Sequence, residues 1–125
     1  MIVTAILIAL AGLLNGASDS LKFHFDQSFA RNWKALFWDP DISWRNKYKN
    51  GDPKQGRAFF GSTTFLVFLT DAWHLLKFAQ MACFRLAVVL LLPLAWYWMI
   101  GSYFGLWAID VAAAFHIPYT FLKQR

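Results

Sequence analysis

The sequence predicts an all-α membrane protein: a small bundle of three transmembrane helices, a fourth candidate segment, and an amphipathic interfacial region after the first helix. Three observations carry this. Hydrophobic residues make up 58 % of the 125 residues and charged residues only 15 %, whereas an ordinary soluble domain is about a quarter charged. The charge is also concentrated. Residues 18–57 hold eight Lys or Arg and five Asp, and the rest of the chain carries only Asp71, Lys77, Arg85, Asp110, Lys123 and Arg125. Finally, the apolar runs on either side are long enough for membrane-crossing helices, which take about 20 residues.

The length fits one domain, residues 1–125. The single cysteine, Cys83, excludes an internal disulfide and any CxxC metal site. The net charge of +5 is better explained by a membrane than by nucleic acid, because basic residues collect beside spans on the cytoplasmic side.

The first span is expected over residues 1–17, in "MIVTAILIALAGLLNGAS", which has no charge. A signal peptide is the rival reading, since "NGA" resembles a small-residue cleavage site, but a positively charged start is missing. Gly12 and Gly16 form a small-xxx-small pattern that lets another helix approach closely.

Residues 18–57 form the basic, aromatic-rich region. In "DPDISWRNKYKNGDP", Asp39 fits a helix N-cap and Pro40 the first helical position. Gly51 fits the residue past the end, and Pro53 follows. Trp44 and Tyr48 are one turn apart, with Arg45, Lys47 and Lys49 around them. Upstream, Phe25, Phe29, Trp33 and Phe37 recur at four-residue spacing. These features predict amphipathic helices on the membrane, with Trp44, Tyr48, Arg45, Lys47 and Lys49 at lipid headgroups. A small cap burying its aromatics against itself is the alternative. By the positive-inside rule this region lies in the cytoplasm and the N-terminus outside.

From Ala58 to Ile109 the chain is nearly all apolar. As one helix it would reach about 75 Å, far beyond a hydrocarbon core of about 30 Å. It must turn. The cations of "KFAQMACFR" mark the expected turn, giving a second span at 58–76 and a third at 86–103 kinked by Pro93. Residues 106–122 are a fourth span or an interfacial helix.

The costly feature is "FLTDAWHLLKFA", which places Asp71, His74 and Lys77 in an apolar run. On a helix, Thr63, Thr64, Thr70, Asp71, His74 and Lys77 share an arc of about 140°. The first helix, if it continues past Gly16, carries its own stripe of Asn15, Asp19, Lys22 and Asp26. His24 joins that stripe only if the helix breaks. Two such stripes should face each other. Asp19, Asp71 and His74, with Asn15 and His24 as possible additions, could then hold a divalent metal such as Zn²⁺. Asp71 and His74 are also candidate catalytic residues, since an Asp beside a metal or a His suits general-base hydrolysis. The DxxH spacing is a weak signal, and a structural network is the competing reading, with Lys77 reaching to the headgroups. A depth mismatch opposes convergence: Asp19 lies near the inner surface, and Asp71 about 20 Å along a helix begun at Ala58. The stripes meet only if that helix begins later or tilts. No Walker loop or GxSxG is present, and there is no Glu.

"SWRNKYKNGDPKQG" followed by "GSTTFLVFLTDAWHLLKF" resembles a group of small integral membrane proteins of bacteria and their phages. The likeness covers roughly residues 10–80 and implies a bacterial-type membrane. It brings no activity and no site residues. The sequence thus leads to an accessory or interaction protein of the bacterial inner membrane, contacting lipids and either a second copy or a membrane-protein partner. A membrane-embedded metal-dependent enzyme acting on a lipid or lipid-linked substrate, using Asp19, Asp71 and His74, is the alternative. A pore or holin-like oligomer is the third.

Overall fold

The computed structural model describes residues 1–93 and 95–109. Over them the chain is helical, without a strand; one isolated antiparallel bridge pairs Tyr48 with Arg57. Two segments are long and apolar enough to cross a membrane: Ile2–Gln27 and Ala72–Leu91. Of the candidate segment at 106–122, only residues 106–109 are described; Asp110 and the positions after it lie outside the described residues.

Helix α1 spans Ile2–His24. Its Ala-, Ile- and Leu-rich start is a good helix former, and Lys22 and His24 sit in the last turn, where cations suit the negative end of the helix dipole. The helix therefore outruns the expected 1–17 span by about two turns. Because it does not break, His24 does not rejoin the stripe.

The segment that follows is a compact cap rather than a set of amphipathic helices. Phe25–Gln27 is a single 3₁₀ turn, and residues 28–33 are turns. The four-residue aromatic spacing thus does not build a helix. Ser28 Oγ instead accepts the Ala30 N–H at 3.2 Å, a local bond that competes with helix formation. The aromatic rings pack on one another edge-to-face: Trp33 meets Trp38 at 4.5 Å between centroids, and Phe29 meets both. Leu21, Ala30 and Ala72 form a small buried core, with Phe25, Phe37, Trp38 and Leu76 against it. Such burial contributes about 25 cal/mol per Å² of apolar area.

Helices α2, Ala35–Trp38, and α3, Pro40–Ser43, are one turn each. Asp39 is the N-cap of α3, its carboxylate accepting the Asp41 N–H at 2.9 Å, and Pro40 is the first helical residue, as the sequence predicts. The helix does not reach Gly51, however. It gives way to 3₁₀ turns at Trp44–Lys47 and Lys49–Gly51. Asn50 (φ 52°) and Gly51 (φ 74°) make a left-handed turn, which these residue types tolerate best. The chain then folds back on itself: Lys49 N–H donates to Gly56 O, and Ala58 N–H to Lys47 O, both at 2.9 Å.

Residues 58–69, expected to open the second span, are turns with a 3₁₀ turn at Val67–Leu69. Two causes are visible. Gly61 has φ +81°, and a Cβ there would lie 3.0 Å from the Phe65 ring. The hydroxyls of Ser62 and Thr70 also bind backbone carbonyls: Ser62 Oγ donates to Lys47 O and Thr70 Oγ1 to Val67 O, both at 2.7 Å. Gly61→Ala is expected to lower stability by about 1–3 kcal/mol, read as a fall in the unfolding midpoint in detergent.

The second long helix, α4, runs over Ala72–Leu91. It passes straight through the expected turn at 77–85. Lys77 does not need a headgroup layer because it finds carbonyl and carboxylate partners on α1, and Arg85 is buried at 7 % exposure. Pro93 does not kink a third span at 86–103. Lacking an N–H and disfavouring helix in the residue before it, it separates α4 from α5, Trp96–Ile109.

The chain divides into two compact units: residues 9–82, and residues 1–8 with those from Cys83 on. The first contains the cap and every polar cluster considered below. In the described part of the second, Leu86 and Val89 on α4 form an apolar groove with Trp96, Met99, Ile100, Tyr103 and Phe104.

Candidate functional site: a polar network where the cap meets the helices

Asp71 is the anchor. It precedes the first residue of α4, its side chain is 2 % exposed, and its Oδ1 accepts the His74 N–H at 2.9 Å. That is the N-cap bond to the third helical residue, and the Asp71 carbonyl accepts the first helical N–H, from Leu75. Asp71 Oδ2 meets His74 Nδ1 at 2.7 Å and Thr70 Oγ1 at 3.1 Å. Burial raises the proton affinity of the Asp71 carboxyl, but the bonds from His74 and Thr70 outweigh it and hold the group below the usual aspartate range. The Trp73 ring packs edge-on to the His74 imidazole at 4.8 Å.

One turn further along α4, Lys77 Nζ donates to Asn15 Oδ1 at 2.8 Å and to Asp19 Oδ1 at 3.3 Å. Asn15 Nδ2 donates in turn to Asp19 Oδ2 at 3.0 Å, across one turn of α1. Among the described residues the two polar stripes meet through Lys77 alone, and the depth mismatch is eased because α4 begins at Ala72. Asp19 lies five residues before the end of α1, and Lys77 five residues after the start of α4, so each is about 8 Å along its helix from the cap.

The residues gathered are not those expected for a metal. Lys77, a cation, occupies the position opposite Asn15 and Asp19, while Asp71 and His74 pair with each other. Among the described residues no three His, Cys, Asp or Glu side chains form a group able to hold a metal ion. His24 lies elsewhere, in an open cleft with Lys22, Asp26, Asp39 and Asp41. Gly12 and Gly16 present open space: a Cβ at either would meet nothing within 4 Å.

Asn46 went unnoticed in the sequence. Its side-chain amide donates to Leu36 O at 2.7 Å and to Thr70 O at 2.9 Å, stitching α2 and the start of α4 through one residue. A lone Asn in "WRNK" gives no periodic or motif signal; only the three-dimensional convergence reveals it. Asn46→Asp replaces the donors with a carboxylate facing two carbonyls, and Asn46→Ala removes them. Each is expected to cost about 1–3 kcal/mol, with Asp the worse, in a comparison of unfolding midpoints.

The headgroup candidates form a connected surface. The Arg45 guanidinium lies over the Trp44 ring at 5.4 Å, Lys47 Nζ over Tyr48 at 5.6 Å, and Trp44 meets Tyr48 edge-to-face at 6.2 Å. Lys49 is exposed beside them. Arg57, which the sequence reading left aside, lies over Phe60 at 5.8 Å.

The chain matches no protein-family model, no curated protein and no solved structure.

Proposed function

We propose that this chain is a small multi-pass integral membrane protein of the bacterial inner membrane, acting as an accessory or interaction protein. On this reading α1 and α4 cross the bilayer, the cap between them lies on the cytoplasmic leaflet, and α5 contributes a third membrane segment. One observation carries it: among the described residues, apolar side chains along the long helices stay exposed. Ile2, Ile6 and Leu13 on α1, and Val88 and Leu91 on α4, are each at least half exposed, which suits lipid. The cap's basic excess supports the orientation. The polar network supports the interaction role over chemistry, because its charged groups are engaged with one another.

The test is alkaline carbonate extraction of membranes, followed by detergent purification and crosslinking. Retention in the carbonate pellet with a defined crosslinked chain is expected; release into the supernatant would sink the integral reading. A cysteine introduced at Asp52 should resist a membrane-impermeant thiol reagent in intact cells and react after lysis.

A second reading is favoured by the 2.7 Å Asp71–His74 contact, the pairing that orients an imidazole as a general base. A lipid-directed enzyme with a divalent ion at Asp19, Asp71 and His74 would require Asp19 to leave Lys77. Near-stoichiometric metal that vanishes in Asp71→Ala/His74→Ala would support it.

A further inference from the structure

We propose that the hairpin of residues 44–60 is a binding site for the headgroups of anionic phospholipids. The inference rests on the membrane reading above and names the chemistry of the cap's partner. Residues 44–57 hold Arg45, Lys47, Lys49, Lys54 and Arg57 against the single acid Asp52. Of the cap's other acids, Asp26, Asp39 and Asp41 line a cleft with Lys22 and His24. The hairpin is therefore predominantly basic, complementary to lipid phosphates.

Its cations are not scattered. Two strings of cation and ring run along it, Arg45–Trp44–Tyr48–Lys47 and Arg57–Phe60–Phe65. The Tyr48–Arg57 bridge joins the strings in one hairpin. Trp44 is 37 % exposed and Phe60 73 %. Rings of this kind favour the headgroup level, and adjacent cations reach phosphate there.

The hairpin is fixed before any lipid arrives. Lys47 O accepts both the Ala58 N–H and the Ser62 hydroxyl, and Asn50 Nδ2 donates to Gln55 Oε1 at 2.9 Å. Asn46, between Arg45 and Lys47, is tied to Thr70 O beside the start of α4. That bond holds the patch at the end of a helix suited to the bilayer, which is where a headgroup layer lies. Little ordering remains to be done on binding, so the charge is expressed as affinity.

The experiment is a titration of the detergent-solubilised full chain with phosphatidylglycerol or phosphatidylcholine, followed by tryptophan fluorescence. Wild type, Arg45→Gln/Lys47→Gln/Arg57→Gln and the charge-matched control Lys22→Gln/Arg31→Gln/Lys34→Gln are compared, with circular dichroism to check helix content. Phosphatidylglycerol is expected to bind wild type and control alike, and the patch variant about a hundredfold more weakly, since each of the three near-surface cations contributes roughly fivefold. Equal response to the two lipids, equal loss in both variants, or saturation by inorganic phosphate alone would overturn the proposal. Should the patch variant lose helix content, Arg57→Gln alone is compared with Lys34→Gln, and equal affinities would overturn it. Vesicle flotation separates this proposal from the membrane reading. Protein that floats on phosphatidylglycerol vesicles yet is stripped by carbonate keeps the patch and loses the integral reading; protein that stays embedded but ignores phosphatidylglycerol does the reverse.

Discussion

On the proposed membrane reading, Lys77→Met is expected to destabilise the protein by about 2–4 kcal/mol, because it leaves Asp19 without its cation beside lipid. In water, a half-exposed pair such as Lys77–Asp19 would be worth under about 1 kcal/mol, and its side chains are 31 % and 45 % exposed to whatever surrounds the helices. The larger figure follows if that surrounding is lipid, so the measurement also reports on the environment. Asp19→Asn in the Lys77→Met background should recover part of the loss, since Asn15 and an amide at position 19 need no counter-charge. Unfolding in mixed micelles, with the two single variants and the double, gives the coupling directly. A single-variant loss under about 0.5 kcal/mol would place the pair in water.

Asp71→Ala should have an effect of similar size, about 2–4 kcal/mol, by a different route. It removes an N-cap, typically worth about 1 kcal/mol, and strips His74 and Thr70 of a buried partner. Asp71→Asn keeps an acceptor for the His74 N–H and should cost less than half as much. The pH dependence has a definite sign. The folded carboxyl titrates below the usual aspartate value of 3.8, so on acidification the unfolded chain takes up the proton first. The contribution is thus fully present above that value and is lost as pH falls through the lower folded one. Between neutral pH and pH 5 the gap between wild type and Asp71→Ala should not close; a gap that closes in that range would contradict the assignment.

Much of this was legible in the residues. The first helix, the Asp39–Pro40 helix start, the Trp44–Tyr48 contact and the convergence of two polar stripes all follow from local chemistry or from helical spacing. What failed was the placement of boundaries in the long apolar run. Lys77 and Arg85 read as a headgroup turn only if charges must be solvated by water or phosphate; a partner on another helix solvates Lys77 equally well, and sequence spacing does not show partners 58 or more residues away. Gly61 and its hydroxyl-bearing neighbours carried the missing information. Their preference for turns was outweighed, in the sequence reading, by the hydropathy of Phe59, Phe60 and Phe65 around them. The partners within the stripes were hidden for a related reason: a wheel projection groups Asn15, Asp19, Asp71, His74 and Lys77 by angle, but only depth decides that Lys77, not His74, reaches Asp19.

The long sequence separation of the Lys77 contacts has a consequence for how the chain is made. Asp19 leaves the ribosome 58 residues before the side chain that neutralises it. At about 5–20 residues per second, that is a delay of roughly 3–12 s. On the proposed membrane reading, the last turns of α1 carry through that interval an uncompensated carboxylate that favours water, while the apolar first turns enter the bilayer. On that reading insertion of α1 has two stages, its final depth set when α4 arrives, and a nascent chain arrested before Lys77 should sit shallower than the finished protein.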